Sequence, residues 1–211
     1  MKKSLITWVL ASTISLAAFL IPDLAHAQLY VSTQSDGGTN GKVATYNANN
    51  GAAINPNFIT GLSSPQGLLL SGNSLFVTNF FNNGTVGNYN ATTGAANNAS
   101  LVTASSGTDS LALLGNNLFV SNIAGTIGEY NATTGAAINA NFITGLGNPQ
   151  GILLFGNNLL IADSNSNSVL EYNALTGALI NGSFITGLDG PEMLAVMGNS
   201  LFVSNFYSGE V

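Results

Sequence analysis

The chemistry open to this chain rests on four acidic residues. Asp109, Asp163, Asp189 and Glu192 fall in or beside short loops between apolar runs, among glycines, prolines and asparagines. Hard cations such as calcium take six or more oxygen donors, and carboxylates, amide side chains and backbone carbonyls are plentiful in these loops. Asp163, Asp189 and Glu192 are therefore the candidate metal ligands. No cofactor is required by the sequence, and calcium is the one these loops could hold. The same carboxylates could serve a metal-dependent hydrolase or lactonase, or a glycosidase pair, which needs two acids at a defined separation. Their competing use is local. Asp and Asn in such loops bond nearby backbone amides and shape turns, and that is the expected use of most of them.

Other chemistries are excluded by what is missing. Lys2 and Lys3 precede an apolar run from Leu5 to Ile21, Pro22 breaks it, and Ala25-His26-Ala27 offers small residues around a cleavage point. That is the pattern of a secretory signal peptide over residues 1–27, cut before Gln28. Its apolar run is shorter than the roughly 20 residues that span a bilayer comfortably, so no membrane span is expected after cleavage. The expected location is secreted or in the cell envelope, periplasmic or extracellular. Cleavage leaves Lys42 as the only base against eight acids, with no histidine, cysteine or arginine. A Ser-His-acid triad and a thiolate nucleophile are then impossible. Nucleic acid is an unsuitable partner, because Lys and Arg supply most of that affinity. No catalytic residue is assigned.

The elements that must position these residues repeat along the chain. Tyr46, Tyr89, Tyr130 and Tyr172 close equivalent apolar runs at spacings of 43, 41 and 42 residues. A period near 40–45 with several short strands per unit is the signature of a β-propeller blade. Gly and Asn punctuate too often for helices, and no segment shows apolar spacing of three and four. In the unit after Asn148 the expected strands are 151–155, 159–163, 168–173 and 179–186, here called A to D. Strands A and B are continuous apolar runs, as expected when a blade is sandwiched between two neighbours. The fold expected is all-β, a propeller of four-stranded antiparallel blades. A partial blade spans 28–60, units follow at about 64–104, 105–146 and 147–188, and a truncated one covers 189–211. Strand D carries its own marker pair: Phe58-Ile59, Leu101-Val102, Phe142-Ile143 and Phe184-Ile185.

The unit Pro149-Gln150-Gly151-Ile152, then Leu159-Leu160-Ile161-Ala162-Asp163, then Asn165-Ser166-Asn167-Ser168-Val169 resembles an NHL-type propeller repeat. Asn79, Asn122 and Asn205 stand where Asp163 does, and Ser168 replaces the basic residue usual at the start of the third strand. The resemblance implies a fold rather than an activity. It also implies that ligands meet the face built by the B–C loops and the loops between blades. There Phe80, Phe81, Phe206 and Tyr207, with Asn79, Asn122 and Asn205, are the candidate ligand-binding residues, for sugar rings or for a protein surface. Burial of those rings against the blade edge is the competing and favoured expectation.

The function expected is a non-catalytic binding or scaffold module for an extracellular protein or polysaccharide, with the metal-dependent hydrolase as the alternative. Residues 28–60 offer strands B, C and D of a first blade with no strand A before them. The last unit stops after a second strand B, so the ends cannot complete one blade between them. The expected molecule is an open arc, with two or three further repeats beyond Val211 in the intact protein and an anchor conceivable after them.

Overall fold

The structure, a computed structural model, describes residues 14–18, 28–34, 39–81, 83–104, 106–208 and 211. Every regular element among them is a strand. The first sheet contains β1 (Ile14–Ala18), β2 (Gln28–Thr33), β3 (Gly41–Asn47) and β4 (Ala53–Leu62). The second contains β5 (Pro65–Ser71), β6 (Ser74–Asn79), β7 (Thr85–Asn90) and β8 (Ala96–Thr103). The third is β9 (Thr108–Leu114), β10 (Asn117–Asn122), β11 (Thr126–Asn131) and β12 (Ala137–Thr144). The fourth is β13 (Pro149–Phe155), β14 (Asn158–Asp163), β15 (Ser168–Asn173) and β16 (Leu179–Thr186), and β17 (Pro191–Met197) with β18 (Ser200–Asn205) forms a two-stranded fifth. All neighbours pair antiparallel, in sequence order within each sheet.

In the unit after Asn148 the strands match the expected ones to within two residues. The reason is local. Gly156, with φ +62°, opens the A–B hairpin in a conformation that a side chain would oppose.

Burial falls from the inner strands to the outer ones. Within β14, every residue after Asn158 is buried, whereas β16 has none buried. Each blade is covered by the next. Tyr30, Phe76, Phe119 and Leu160 occupy one position of the second strand and are at most 3% exposed, but Phe202, at the same position in the last sheet, is 41% exposed. The marker pairs on the outer strands behave alike. Ile59, Val102 and Ile143 are buried, while Ile185 at the same position is only partly buried. Among the described residues the β17–β18 sheet has no hydrogen-bonded partner in the first sheet, so the blades form an open arc.

The inner strand of the first blade departs from expectation. Rather than lacking one, that blade has β1, paired antiparallel with β2 from Ile14 opposite Thr33 to Ala18 opposite Leu29. An unpaired β2 would present a row of free N–H and C=O groups, and a short apolar segment upstream can satisfy them. The cleavage triplet at residues 25–27 lies outside the described residues. A chain starting at Gln28 loses β1. It is expected to melt on the order of 5 °C lower than the full chain, with faster amide exchange along β2. Unchanged exchange in β2 would show that β1 contributes nothing there.

Candidate functional site

Two regions gather polar chemistry: the starts of the inner strands, and the loops at the same end of the blades. The inner strands begin Pro65-Gln66-Gly67, Thr108-Asp109-Ser110, Pro149-Gln150-Gly151 and Pro191-Glu192-Met193. A hydroxyl on the preceding blade holds the second residue of three of these by its backbone carbonyl. Ser32 donates to Gln66 at 3.0 Å, Thr78 to Asp109 at 3.0 Å and Ser121 to Gln150 at 3.1 Å. Thr78 and Ser121 also accept an N–H from their own blade, that of Gly67 at 2.7 Å and that of Ser110 at 2.8 Å. These bridges stitch blade to blade and align residues 66, 109 and 150 around the inner wall. Gly151 lets the strands approach this closely, since a Cβ there would come within 2.3 Å of the Glu192 carbonyl oxygen.

Asp109 differs from its equivalents. It is 4% exposed, and neither carboxylate oxygen has a hydrogen-bond partner. Burial, then the negative charge of Glu192, push its carboxyl up to about 7. Glu192 is half-buried, and burial raises it too. Another buried acid is accommodated differently: Glu129 accepts the Asn117 amide at 2.6 Å. Asp109 thus stands out as a carboxylate removed from water and given no donor.

The B–C loops share one frame. Phe80, Ile123, Ser164 and Phe206 each donate their N–H to a carbonyl of the inter-blade turn: Ser64, Gly107, Asn148 and Gly190 respectively, at 2.9–3.1 Å. Asp163 closes its turn by accepting Gly147 N–H on Oδ2 and Asn148 N–H on Oδ1, both at 2.8 Å. Asn79 accepts Ser63 N–H at 3.2 Å and Asn205 accepts Asp189 N–H at 3.1 Å. Asn122 accepts Ala124 N–H at 2.8 Å and the Ser106 hydroxyl. The side-chain oxygens of Asp163, Asn79 and Asn205 thus hold backbone amides of the inter-blade turns, the local use expected of such residues, and that of Asn122 holds its own loop and Ser106. Asp189 is exposed. Among the described residues no three His, Cys, Asp or Glu side chains come together as a metal-binding group.

The aromatic pairs divide between the two expectations. Phe80 lies half-buried over Gly107, and Phe81 meets it edge-to-face at 5.2 Å while remaining 41% exposed. Phe206 and Tyr207 meet the same way at 5.2 Å, and Tyr207 covers Gly190, yet they are 49% and 74% exposed. Phe81, Phe206 and Tyr207 thus stay on the surface of a rigid loop frame. The Asp109–Glu192 pairing was missed at sequence level. Its signal was the alignment of both acids with Gln66 and Gln150 at one repeat position.

Successive antiparallel sheets radiating from a common inner wall define a β-propeller. No family model matches the chain, and no curated protein matches it. Among solved structures, the chain is similar to a propeller chain in the crystal structure of a Nidogen/Laminin complex, with TM-score 0.69 and 16% identity over 92% of this chain and 72% of that one. It is also similar to the computationally designed Ika4 protein, with TM-score 0.57 and 16% identity over 70% of this chain and 88% of that one. For the designed Ika8 protein the values are 0.57 and 15%, over 86% and 57%. At such identities the likeness is one of fold.

Proposed function

We propose that this chain is a secreted, non-catalytic propeller of NHL-type repeats that binds an extracellular protein or polysaccharide through its B–C loop face. The observation that carries this is the shared loop frame: four blades hold the same backbone bonds, while the side chains presented change from blade to blade. Constant scaffold with variable loop tips is the usual layout of a recognition surface. Phe81, Phe206 and Tyr207 supply exposed rings, which interfaces use as anchors at small entropic cost. Secretion rests on the leader pattern of residues 1–27, and the exclusion of nucleic acid on the near absence of basic residues. One solved structure of similar fold is a chain from a protein–protein complex.

The test uses Phe81→Ala, Phe206→Ala and Tyr207→Ala, singly and together. Because these rings are exposed, each change is expected to alter stability by less than about 1 kcal/mol. Binding to whatever a glycan array or envelope-extract pull-down identifies for the wild type should weaken by about tenfold or more in the triple variant. Full retention of that binding would remove the loop face from consideration.

A further inference from the structure

A cleft of about 350 Å³ lies between the second and third blades, beside the third blade's B–C loop. One wall is the end of β8, at Thr103 and Ala104, and the other is the facing side of the third blade. There Val120 and Asn122 of β10 stand opposite Gly128 and Thr126 of β11, so all four share one face, with Tyr130 two residues beyond Gly128. One glycine makes the room. A Cβ on Gly128 would come within 2.6 Å of the Tyr130 ring, so the ring lies across the strand where a side chain would stand. In the fourth blade Leu170 occupies that position, opposite Ile161, and is buried in the core.

The polar groups of this cleft are left open, unlike those of the blade before. The second blade also carries a glycine under its tyrosine, Gly87 under Tyr89, but there Asn79 Nδ2 donates to the Thr85 hydroxyl at 3.2 Å. In the third blade the matching pair, Asn122 and Thr126, makes no such bond. Asn122 is 7% exposed, and its oxygen accepts Ala124 N–H and the Ser106 hydroxyl. Its amide nitrogen has no hydrogen-bond partner among the described residues, nor have the hydroxyls of Thr126 and Tyr130, and Tyr130 is 9% exposed. Water meets such groups in an empty cleft, and a ligand hydroxyl can replace it bond for bond. Among the described residues no charged side chain lines the cleft, so an ionic ligand would find no counter-charge. A few placed polar groups over an apolar lining are the layout of a small-molecule site, and such sites run from about 300 to 1,000 Å³. The volume here is at the low end, enough for one ring. A neutral sugar fits that chemistry, since it carries hydroxyls around its rim and C–H groups on its faces. We infer that the cleft binds one neutral sugar residue, which bonds to Asn122 Nδ2 and the Thr126 and Tyr130 hydroxyls and sets a C–H face against the apolar lining. The inference rests on the binding reading above, for its polysaccharide branch, but uses none of the exposed loop rings.

The full chain, labelled with nitrogen-15, is titrated with glucose, galactose, mannose and N-acetylglucosamine while its amide resonances are followed by NMR. N-acetyl-trialanine amide serves as a neutral peptide arm. At least one sugar should bind saturably with a millimolar Kd, shifting the amides of Ala124, Thr126 and Gly128 and the Asn122 side-chain amide. Thr126→Val and Tyr130→Phe remove hydroxyls that have no partner in the fold, so both variants should keep the wild-type Tm. Combined, they should weaken sugar binding by about tenfold or more. Gly128→Leu copies the fourth blade and should abolish binding by filling the cleft. The triple variant Phe81→Ala, Phe206→Ala, Tyr207→Ala should bind the sugar within about twofold of wild type. Loss in that triple variant, with retention in the combined Thr126→Val and Tyr130→Phe chain, would place the sugar on the loop tips, overturning this inference while supporting the loop-face reading. No saturable shift with any of the four sugars up to about 100 mM, or binding of the peptide alone, would overturn it and leave a protein-binding loop face standing.

Discussion

At pH 8, Asp109→Asn is expected to be more stable than the wild type, although it changes a buried side chain. The folded-state carboxyl is raised from 3.8 to about 7 by burial and by Glu192. Between pH 4 and pH 7 the native chain therefore holds a proton that the unfolded chain releases. Each unit of rising pH across that window costs about 1.4 kcal/mol, and the loss stops above pH 7. The full penalty at pH 8 is on the order of 4 kcal/mol. Asparagine removes the titration but leaves an unpaired buried amide, which costs about 1–3 kcal/mol. A net gain of roughly 2 kcal/mol at pH 8 remains, and near pH 4 the advantage disappears or reverses. Glu192, raised in the same direction, leaves some residual pH dependence in the variant. Urea denaturation at pH 4, 6 and 8 provides the measurement. A variant weaker than the wild type throughout would mean that Asp109 has donors in solution.

Asp163→Ala is expected to destabilise the chain by about 4 kcal/mol. Its two oxygens accept Gly147 N–H and Asn148 N–H at 2.8 Å each, and the residue is 3% exposed. Hydrogen bonds to a charged acceptor contribute about 1.5–3 kcal/mol apiece, and the alanine leaves both amides without an acceptor in a confined turn. Asp163→Asn keeps one acceptor, as Asn79 and Asn205 have at their turns, and should cost about 1–2 kcal/mol. Contacts in stacked blades are largely between neighbours, so the damage should centre on the third and fourth blades. Hydrogen exchange gives the sharpest readout: the amides of Gly147 and Asn148 should lose protection in Asp163→Ala before amides in the second blade do. A loss below about 1 kcal/mol would show that water replaces the carboxylate at no penalty.

The contrast between Asp109 and Asp163 shows how far a sequence alone carries. Both are acids in a chain poor in charge, both lie near inter-blade turns, and only their repeat positions distinguish them. Asp163 sits at the end of β14, directly across from Pro149, so its oxygens reach the turn amides sixteen and fifteen residues back. Asp109 sits one residue inside an inner strand, between Thr108 and Ser110, which are both buried. Its side chain is shut off from solvent by the blades packed around it. The aromatics divide for a similar reason. Phe80 meets a neighbouring glycine and is covered, whereas Phe206 and Tyr207 belong to the last sheet, which no further described blade covers.

Local physics was legible from the residues. The period marked by Tyr46, Tyr89, Tyr130 and Tyr172, the strands bounded by Gly-Asn turns, and the apolar inner strands follow from backbone sterics and side-chain burial over a few residues, and the structure reproduces them. Two features belonged to the tertiary structure. The segment Ile14–Ala18 supplies the first blade's inner strand, and Asp109 comes under the charge of Glu192, 83 residues further on. Each depends on how blades stack around the arc, and stacking energy comes from contacts between units rather than from any one unit's sequence. A repeat specifies its own strands by local preference, but the environment of a side chain at its edge is set by the neighbouring blade.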